Sequence, residues 1–531
     1  MSVTRAGRVP VRAGLVRWWP ESLAVMAALI WAALAYRTAH GRHFAVVANP
    51  ALPTWWEWSD QGRYYRAARA WASWSLDPTQ HWYFAGYALL GAAMFRLMPG
   101  QPFYVVNLAC LILFGLALAF LARRLADRAR WAVVAGAAVF VLTVVLTPFA
   151  MKAFVEPWTT TPTAFLSLGA FLMAFRLWER PSAGRAAGLG LVAGSIALFR
   201  PTDVIPLGAA LAFWTLVSLR TIGWRRLALV AGGGIAGAAV PLAVTVASYV
   251  AVFGFSRNTY LLQSAETGFE WRLIPLHWVT LFVSPQLAFP DEFSLSQRFP
   301  WVVPGVAGMV ACLVSTHGET RRRHGLVISA VALHCSLYMA YRDLHPQGLF
   351  RFANYHYFKW CLPVFGLYAV FLVTEVVRRP QKARALGAGA VVTLGLFSWR
   401  APWREVRADW VAQARVDGRT LTLPQAPRSV YDGLFVPAAG GFSKVYLSSY
   451  EMRIGDRVFH ANADFKAFPV AGGLILMVLR PMPEGPAVIR FADGVQLLPG
   501  AMHMLRLRFR WQWPHVGALI SAYSRRWHVD T

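Results

Sequence analysis

Two kinds of residue in this chain are placed to do chemistry. Carboxylates can take a proton, and cations beside aromatic rings can hold an anion. The first carboxylate is Asp60, in the run Trp55-Trp56-Glu57-Trp58-Ser59-Asp60-Gln61-Gly62-Arg63-Tyr64-Tyr65-Arg66. Asp60, Tyr64 and Trp71 recur at helical spacing and share one face of a helix starting near Ser59. Arg63, Arg66 and Arg69 fall on another face, suited to lipid phosphates. Asp60 reads as a helix N-cap accepting backbone N–H groups, and a capping aspartate can also be a catalytic one. The second carboxylate, Glu156, precedes Pro157 and reads equally as an N-cap-like acid at the start of the next span. Arg200 sits in a short turn between apolar runs, where a charge is costly unless partnered or functional. The richest polar and aromatic stretch is 342–359, with Arg351, His356 and Lys359 beside Tyr355 and Tyr357. Its plainer reading is an interfacial anchor with snorkelling cations. No metal is expected: His345 and His356 lie eleven apart, off helical ligand spacing, and the four cysteines fall in or at apolar runs.

The elements that must position these residues are membrane spans. Of 531 residues, 57% are apolar and 15% charged, against about 25% charged in a soluble domain. The net charge of +27 would suggest nucleic acid in a soluble chain, but here basic residues flank long apolar runs, the pattern that sets membrane topology. Eleven spans are read at roughly 20–37, 104–122, 131–149, 158–175, 187–199, 204–219, 227–253, 301–316, 325–341, 360–377 and 385–399. Residues 1–19 and the loops on the same side carry twenty-one Arg and Lys residues against Asp127, Glu179 and Glu319. That side is read as cytoplasmic, together with residues 1–19, and no cleavable signal peptide is evident. The other side holds the first outer loop, 38–103, and everything after about residue 400. Residues 82–98 are apolar enough to resemble a span, yet a crossing there would invert every later loop, so they are placed along the outer interface. Residues 400–531 alternate short apolar runs with Gly, Pro and Asp turns, which predicts a small β-rich exported domain. No Walker A motif appears, so the chemistry is expected on the outer face and without ATP hydrolysis.

Asp60 with Tyr64 soon after the first span, together with the aromatic stretch Trp82-Tyr83-Phe84-Ala85-Gly86-Tyr87, resembles the GT-C superfamily of membrane glycosyltransferases. Phe154-Val155-Glu156-Pro157 is similar to the Glu-Pro that opens the fourth span in many members. Phe199-Arg200-Pro201-Thr202-Asp203 resembles their Arg-Pro turn between later spans. The resemblance covers roughly 20–400 and rests on short motifs and topology. It departs at Gln61, where many members carry a second acid beside the first.

The resemblance implies a helical GT-C-like bundle and transfer of a sugar from a polyprenyl-phosphate carrier to a lipid, glycan or protein acceptor. Inverting transfer needs a base for the acceptor hydroxyl and positive charge for the departing phosphate. Asp60 is the expected base and Glu156 the second choice, orienting the acceptor. Tyr64, Arg200, Arg351, Tyr355, His356 and Lys359 are the expected substrate-binding residues, with no cofactor. The expected site is the outer face of a bacterial inner membrane, in contact with lipid and not with nucleic acid. A sugar-lipid flippase or transporter is the rival class, although no internal repeat is seen. An oligosaccharide ligase would share the topology.

Overall fold

Apolar runs rich in Ala, Leu, Val and Phe satisfy their backbone internally only as helices when water is excluded, and among the described residues the long apolar runs before residue 398 are helical. The computed structural model describes residues 19–46, 59–127, 129–283, 293–344, 349, 353–377, 383–397, 399–400, 407–410, 414–440, 450–461, 463–470, 473–491, 494–498, 502–506 and 510–511. The helices used below are α1 (Trp19–Val46), α2 (Ser59–Ala72), α3 (Ala85–Phe95), α4 (Phe103–Leu125), α5 (Trp131–Phe140) and α6 (Pro148–Val155). They continue as α7 (Thr160–Glu179), α8 (Ala183–Phe199), α9 (Pro201–Leu219), α10 (Trp224–Phe253), α11 (Thr259–Thr267), α12 (Val302–Ser315), α13 (Gly318–Ala340), α14 (Cys361–Phe371) and α15 (Ala383–Phe397).

A helix underlies each of the apolar segments read from the sequence. Among the described residues, Pro20–Arg42, Phe103–Leu125, Pro201–Leu219 and Trp224–Phe253 are long and apolar enough to cross a membrane alone. A fifth is added if one bent pair counts as a single span. That pair differs from the expectation of a span ending at 149 and a short turn over 150–157. α5 runs into a π-helical turn, Val141–Val145, and Pro148 then opens α6 at 83° to it. Proline at the first helical position is pre-organised for a new helix and cannot continue an old one. α3, the centre of the 82–98 stretch, has 11 residues, about 16 Å of helix, too short to span a hydrocarbon core of about 30 Å.

The chain divides into two compact units. The first takes the described residues of Met1–Ser256, Pro304–Leu333 and Phe358–Gly389. Its tightest seam joins α8 to α10 through glycines. A Cβ on Gly237 would lie 1.9 Å from the Ala187 carbonyl oxygen, and one on Gly190 would lie 2.0 Å from that of Gly234. Small residues on both helices thus let the backbones touch. At the end of the bundle that carries the basic loops, ion pairs tie the helices together. Arg323 on α13 donates to Glu179 on α7 at 3.0 Å, to the Arg124 carbonyl on α4 at 3.0 Å, and to Glu319. Arg124 also pairs with Glu179, and Arg130 pairs with Glu21 of α1 at 3.0 Å.

The second unit takes the described residues of Arg257–Val303, His334–Tyr357 and Ala390–Thr531. It holds the C-terminal β region expected from the sequence. One antiparallel sheet runs Arg415–Asp417, Thr420–Leu423, Ala487–Arg490, Glu451–Ile454 and Arg457–His460. The other runs Arg407–Trp410, His503–Arg506, Asp432–Gly440, Gly473–Val478 and Phe465–Val470, with Val495–Leu497 also on Asp432–Gly440. Leu421, Met452 and Ile489 of the first sheet share one apolar core with Leu434, Phe465 and Leu476 of the second. That makes a β-sandwich. Residues from the earlier segments Arg257–Val303 and His334–Tyr357 fold with these strands. Leu273 and Leu276 pack on Val430 and Met477, and Lys466 pairs with Asp343 at 3.2 Å.

His277 in this unit is 1% exposed, with Nδ1 hydrogen-bonded to the Met339 carbonyl. Burial pushes its imidazole down to about 4, the Met339 bond opposing. The unfolded chain takes up this proton near pH 6.5, so between those values the unfolded state binds more protons and stability falls as pH falls. The loss reaches about 3 kcal/mol by pH 4 and is absent above 6.5. Unfolding midpoints of wild type and His277→Gln between pH 7.5 and 4.5 check this. The wild-type midpoint should drop more steeply with acid, and parallel curves would contradict the assignment.

Candidate functional site

The site is built in the first unit from the ends of α2, α3, α4, α6, α7, α8 and α9 opposite the ion-paired belt. Asn107 and Arg124 lie on the same helix, α4, seventeen residues apart, or about 25 Å along its axis.

α2 buries Tyr64, Ala67, Ala68 and Trp71 and exposes Arg66 and Arg69, the amphipathic division read from the sequence. Asp60 occupies its first turn, where the helix dipole favours a carboxylate. Asp60 is one third exposed and pairs with Arg63 at 3.5 Å. The Tyr83 side chain is hydrogen-bonded to Asp60 as well. Burial, then the nearby Tyr64 and Asp60, holds the Tyr83 hydroxyl far above its ordinary range, so it stays protonated as a donor. Arg63 departs from the expected lipid-facing stripe: its guanidinium lies 3.9 Å over the Trp82 ring. The Tyr64 ring packs 4.7 Å from Tyr83 and 5.3 Å, edge-on, from Tyr87.

From Tyr87 the connection continues inward. Its hydroxyl donates to Asn107 Oδ1 at 2.7 Å. Asn107 Nδ2 reaches the carbonyls of Val155 and Glu156 at 3.3 and 3.4 Å. Glu156 is therefore not the opening acid of the next helix, as its Pro neighbour suggested. It caps the C-terminus of α6 in extended conformation, and α7 starts later, after Thr159. The buried Glu156 carboxylate accepts the Trp158 indole N–H at 3.2 Å and faces Lys152 at 3.7 Å.

Behind Glu156 lies a run of buried hydroxyls, Thr159, Thr160, Thr161 and Thr163. Lys359 Nζ donates to Thr161 Oγ1 at 2.6 Å and stands 4.9 Å from the Phe154 ring centre. Lys359 is 4% exposed. Burial pushes its ammonium well below the usual lysine range, with Arg200 pushing the same way and Glu156 opposing. Arg200 joins α8 to α9, donates to Thr159 at 3.5 Å, and pairs with Asp203 at 3.3 Å. Asp203 in turn accepts the Thr163 hydroxyl at 2.9 Å.

Of the residues singled out by sequence, Asp60, Tyr64, Glu156, Arg200 and Lys359 belong to this one unit. The segment read as a single cluster over 342–359 is divided. Tyr355 and His356 are buried in the second unit, where the His356 ring lies 4.2 Å from Tyr357. Arg351 lies outside the described residues. Thr161, Thr163 and Asn107 are not singled out by the sequence, although four threonines in five positions after Glu-Pro-Trp are a visible polar run in an apolar chain, and Tyr87 enters only as the end of the Trp82–Tyr87 aromatic stretch. Among the described residues, no three His, Cys, Asp or Glu side chains are grouped to hold a metal ion. The arrangement offers a reachable carboxylate, Asp60, and a buried cluster in which Lys359, Arg200 and threonine hydroxyls lie among the acids Glu156 and Asp203; its cations and hydroxyls are of the kind that bind an anion. No protein-family model matches the chain, and no protein of curated function matches it.

Proposed function

We propose that this protein is a membrane glycosyltransferase that moves a sugar from a polyprenyl-phosphate carrier to a lipid, glycan or protein acceptor. It works at the outer face of a bacterial inner membrane. In this reading all eleven apolar segments read from the sequence cross the bilayer, the shorter ones enclosed by their neighbours, with the N-terminus cytoplasmic and the β-sandwich outside. The observation that carries the proposal is a reachable carboxylate in the same unit as a buried lysine held on a threonine hydroxyl: Asp60 is one third exposed, whereas Lys359 is 4% exposed on Thr161.

Asp60 takes the proton of the acceptor hydroxyl as its oxygen bonds to the anomeric carbon. The bond from that carbon to the phosphate oxygen breaks, and its electron pair leaves on polyprenyl phosphate. Lys359, Arg200 and the threonine hydroxyls stabilise that developing charge in a site with little water. Glu156, held by Trp158 and more enclosed than Asp60, orients the acceptor. Tyr64, on the same helix as Asp60, contributes an aromatic ring to the wall beside the sugar.

The test is transfer by purified, lipid-reconstituted protein from labelled polyprenyl-phosphate sugars, wild type beside Asp60→Asn. Wild type should turn over, and the folded variant should lose about 10²- to 10⁴-fold in rate. Full activity in Asp60→Asn would move the base to Glu156. Movement of sugar-lipid across the bilayer without transfer would favour a flippase.

A further inference from the structure

Asn107 stands between the two carboxylates that the proposed reaction uses, and its surroundings are unlike the rest of α4. That helix is apolar across its crossing length, yet at Asn107 it buries a primary amide completely. Such a group costs several kcal/mol in an apolar setting unless its hydrogen bonds are made. Here both ends are engaged. Oδ1 accepts the Tyr87 hydroxyl at 2.7 Å, while Nδ2 reaches two successive carbonyls, Val155 at 3.3 Å and Glu156 at 3.4 Å.

Those carbonyls are the last of α6, which the end of a helix leaves without intrahelical partners. They fix where the chain leaves α6, and therefore where the Glu156 side chain starts. On the other side, Tyr87 is clamped between rings: it stacks on Phe103 at 4.4 Å and meets Tyr64 edge-on at 5.3 Å. Tyr64 lies one helical turn from Asp60 on α2. One buried amide thus joins the element carrying the reachable acid to the turn carrying the enclosed one.

We infer that Asn107 is a positioning residue for the transfer reaction, setting the Glu156 turn against the Tyr64–Asp60 helix through Tyr87. It touches neither substrate nor the reacting atoms. The inference rests on the proposed glycosyltransferase reading and adds to it the group that holds two of its parts in register. A misplacement of about 1 Å between such parts costs on the order of 100-fold in rate.

The test compares wild type, Asn107→Leu and Tyr87→Phe. Leucine keeps the branched shape and removes every hydrogen bond. Phenylalanine keeps both ring contacts and removes only the hydroxyl, so it reports even if the leucine variant does not fold. Donor-saturation kinetics should show kcat lowered at least tenfold in Asn107→Leu and severalfold in Tyr87→Phe, with the donor KM unchanged. The double variant should be no worse than Asn107→Leu alone, because both cut one connection. Hydrogen exchange should rise in peptides covering 150–160 and leave the α8–α10 seam as in wild type. Unchanged kcat in both single variants overturns the inference while wild-type turnover upholds the reading beneath it. A rise in donor KM with exchange raised throughout the bundle overturns it too, as a structural role would. Absence of turnover in wild type defeats the reading and the inference together.

Discussion

Lys359→Met is expected to reduce sugar transfer by about 10²- to 10³-fold and, at the same time, to raise the temperature at which the protein unfolds. The two effects have one cause. Lys359 is 4% exposed, beside the Phe154 ring, with the Thr161 hydroxyl 2.6 Å from its nitrogen. Keeping an ammonium there is costly, and burial accordingly pushes it well below the usual lysine range. Methionine has similar length and no charge. It gives up the Thr161 bond, worth about 1 kcal/mol, and removes a larger desolvation penalty, a trade that has often proved stabilising. A group retained at such a cost has a use, and the reaction supplies one: the departing phosphate brings negative charge beside it, adding to that of Glu156. Activity and thermal unfolding measured on the same preparation check both halves. A destabilised but active Lys359→Met would show the lysine to be structural.

Glu179→Gln is expected to lower unfolding stability by about 3 kcal/mol and to leave the donor KM of the surviving folded protein unchanged. Glu179 on α7 receives Arg323 of α13 at 3.0 Å and also pairs with Arg124 of α4. The Arg323 side chain is 6% exposed, and its other acid, Glu319, is 44% exposed. Glutamine keeps the shape and one acceptor but leaves a buried guanidinium short of charge, which is the expensive way to break a buried pair. The change lies at the far end of α4 from Asn107, so activity per folded molecule should hold. Denaturant or thermal unfolding checks the magnitude. A loss below about 0.5 kcal/mol, typical of an exposed pair, would mean the belt does not hold the helices.

Much of this architecture was legible because its signals are local. Period-3.6 spacing is written within fourteen residues, so the face of α2 that buries Tyr64 and Trp71 could be read directly, as could the short β runs after residue 400. The α5–α6 break was hidden in continuous apolarity: Pro148 was visible, but the helix it opens inside the expected turn was not, and Glu156 was therefore read as starting one helix when it ends another. Non-local pairings left no trace. Lys359 and Thr161 are 198 residues apart, and Asn107 meets Glu156 across 49. A single Asn in an apolar helix carries no mark of its partners. Arg63 was read by helical face as lipid-facing, because nothing in the local sequence shows that Trp82 covers it. The Tyr355-His356 pair and Lys359 are only three residues apart in sequence, yet they belong to different units, a division that composition cannot express.

The most direct measurement of the central claim is the chemical balance of one reaction. Reconstituted wild-type protein is given a single labelled polyprenyl-phosphate sugar at a time, with outer-membrane and cell-wall fractions as acceptors, and both products are quantified. The account predicts free polyprenyl phosphate and glycosylated acceptor in equal amounts for at least one donor, with both lost together in Lys359→Met. Donor that stays intact in every case, or that crosses the bilayer with its sugar still attached, would contradict it.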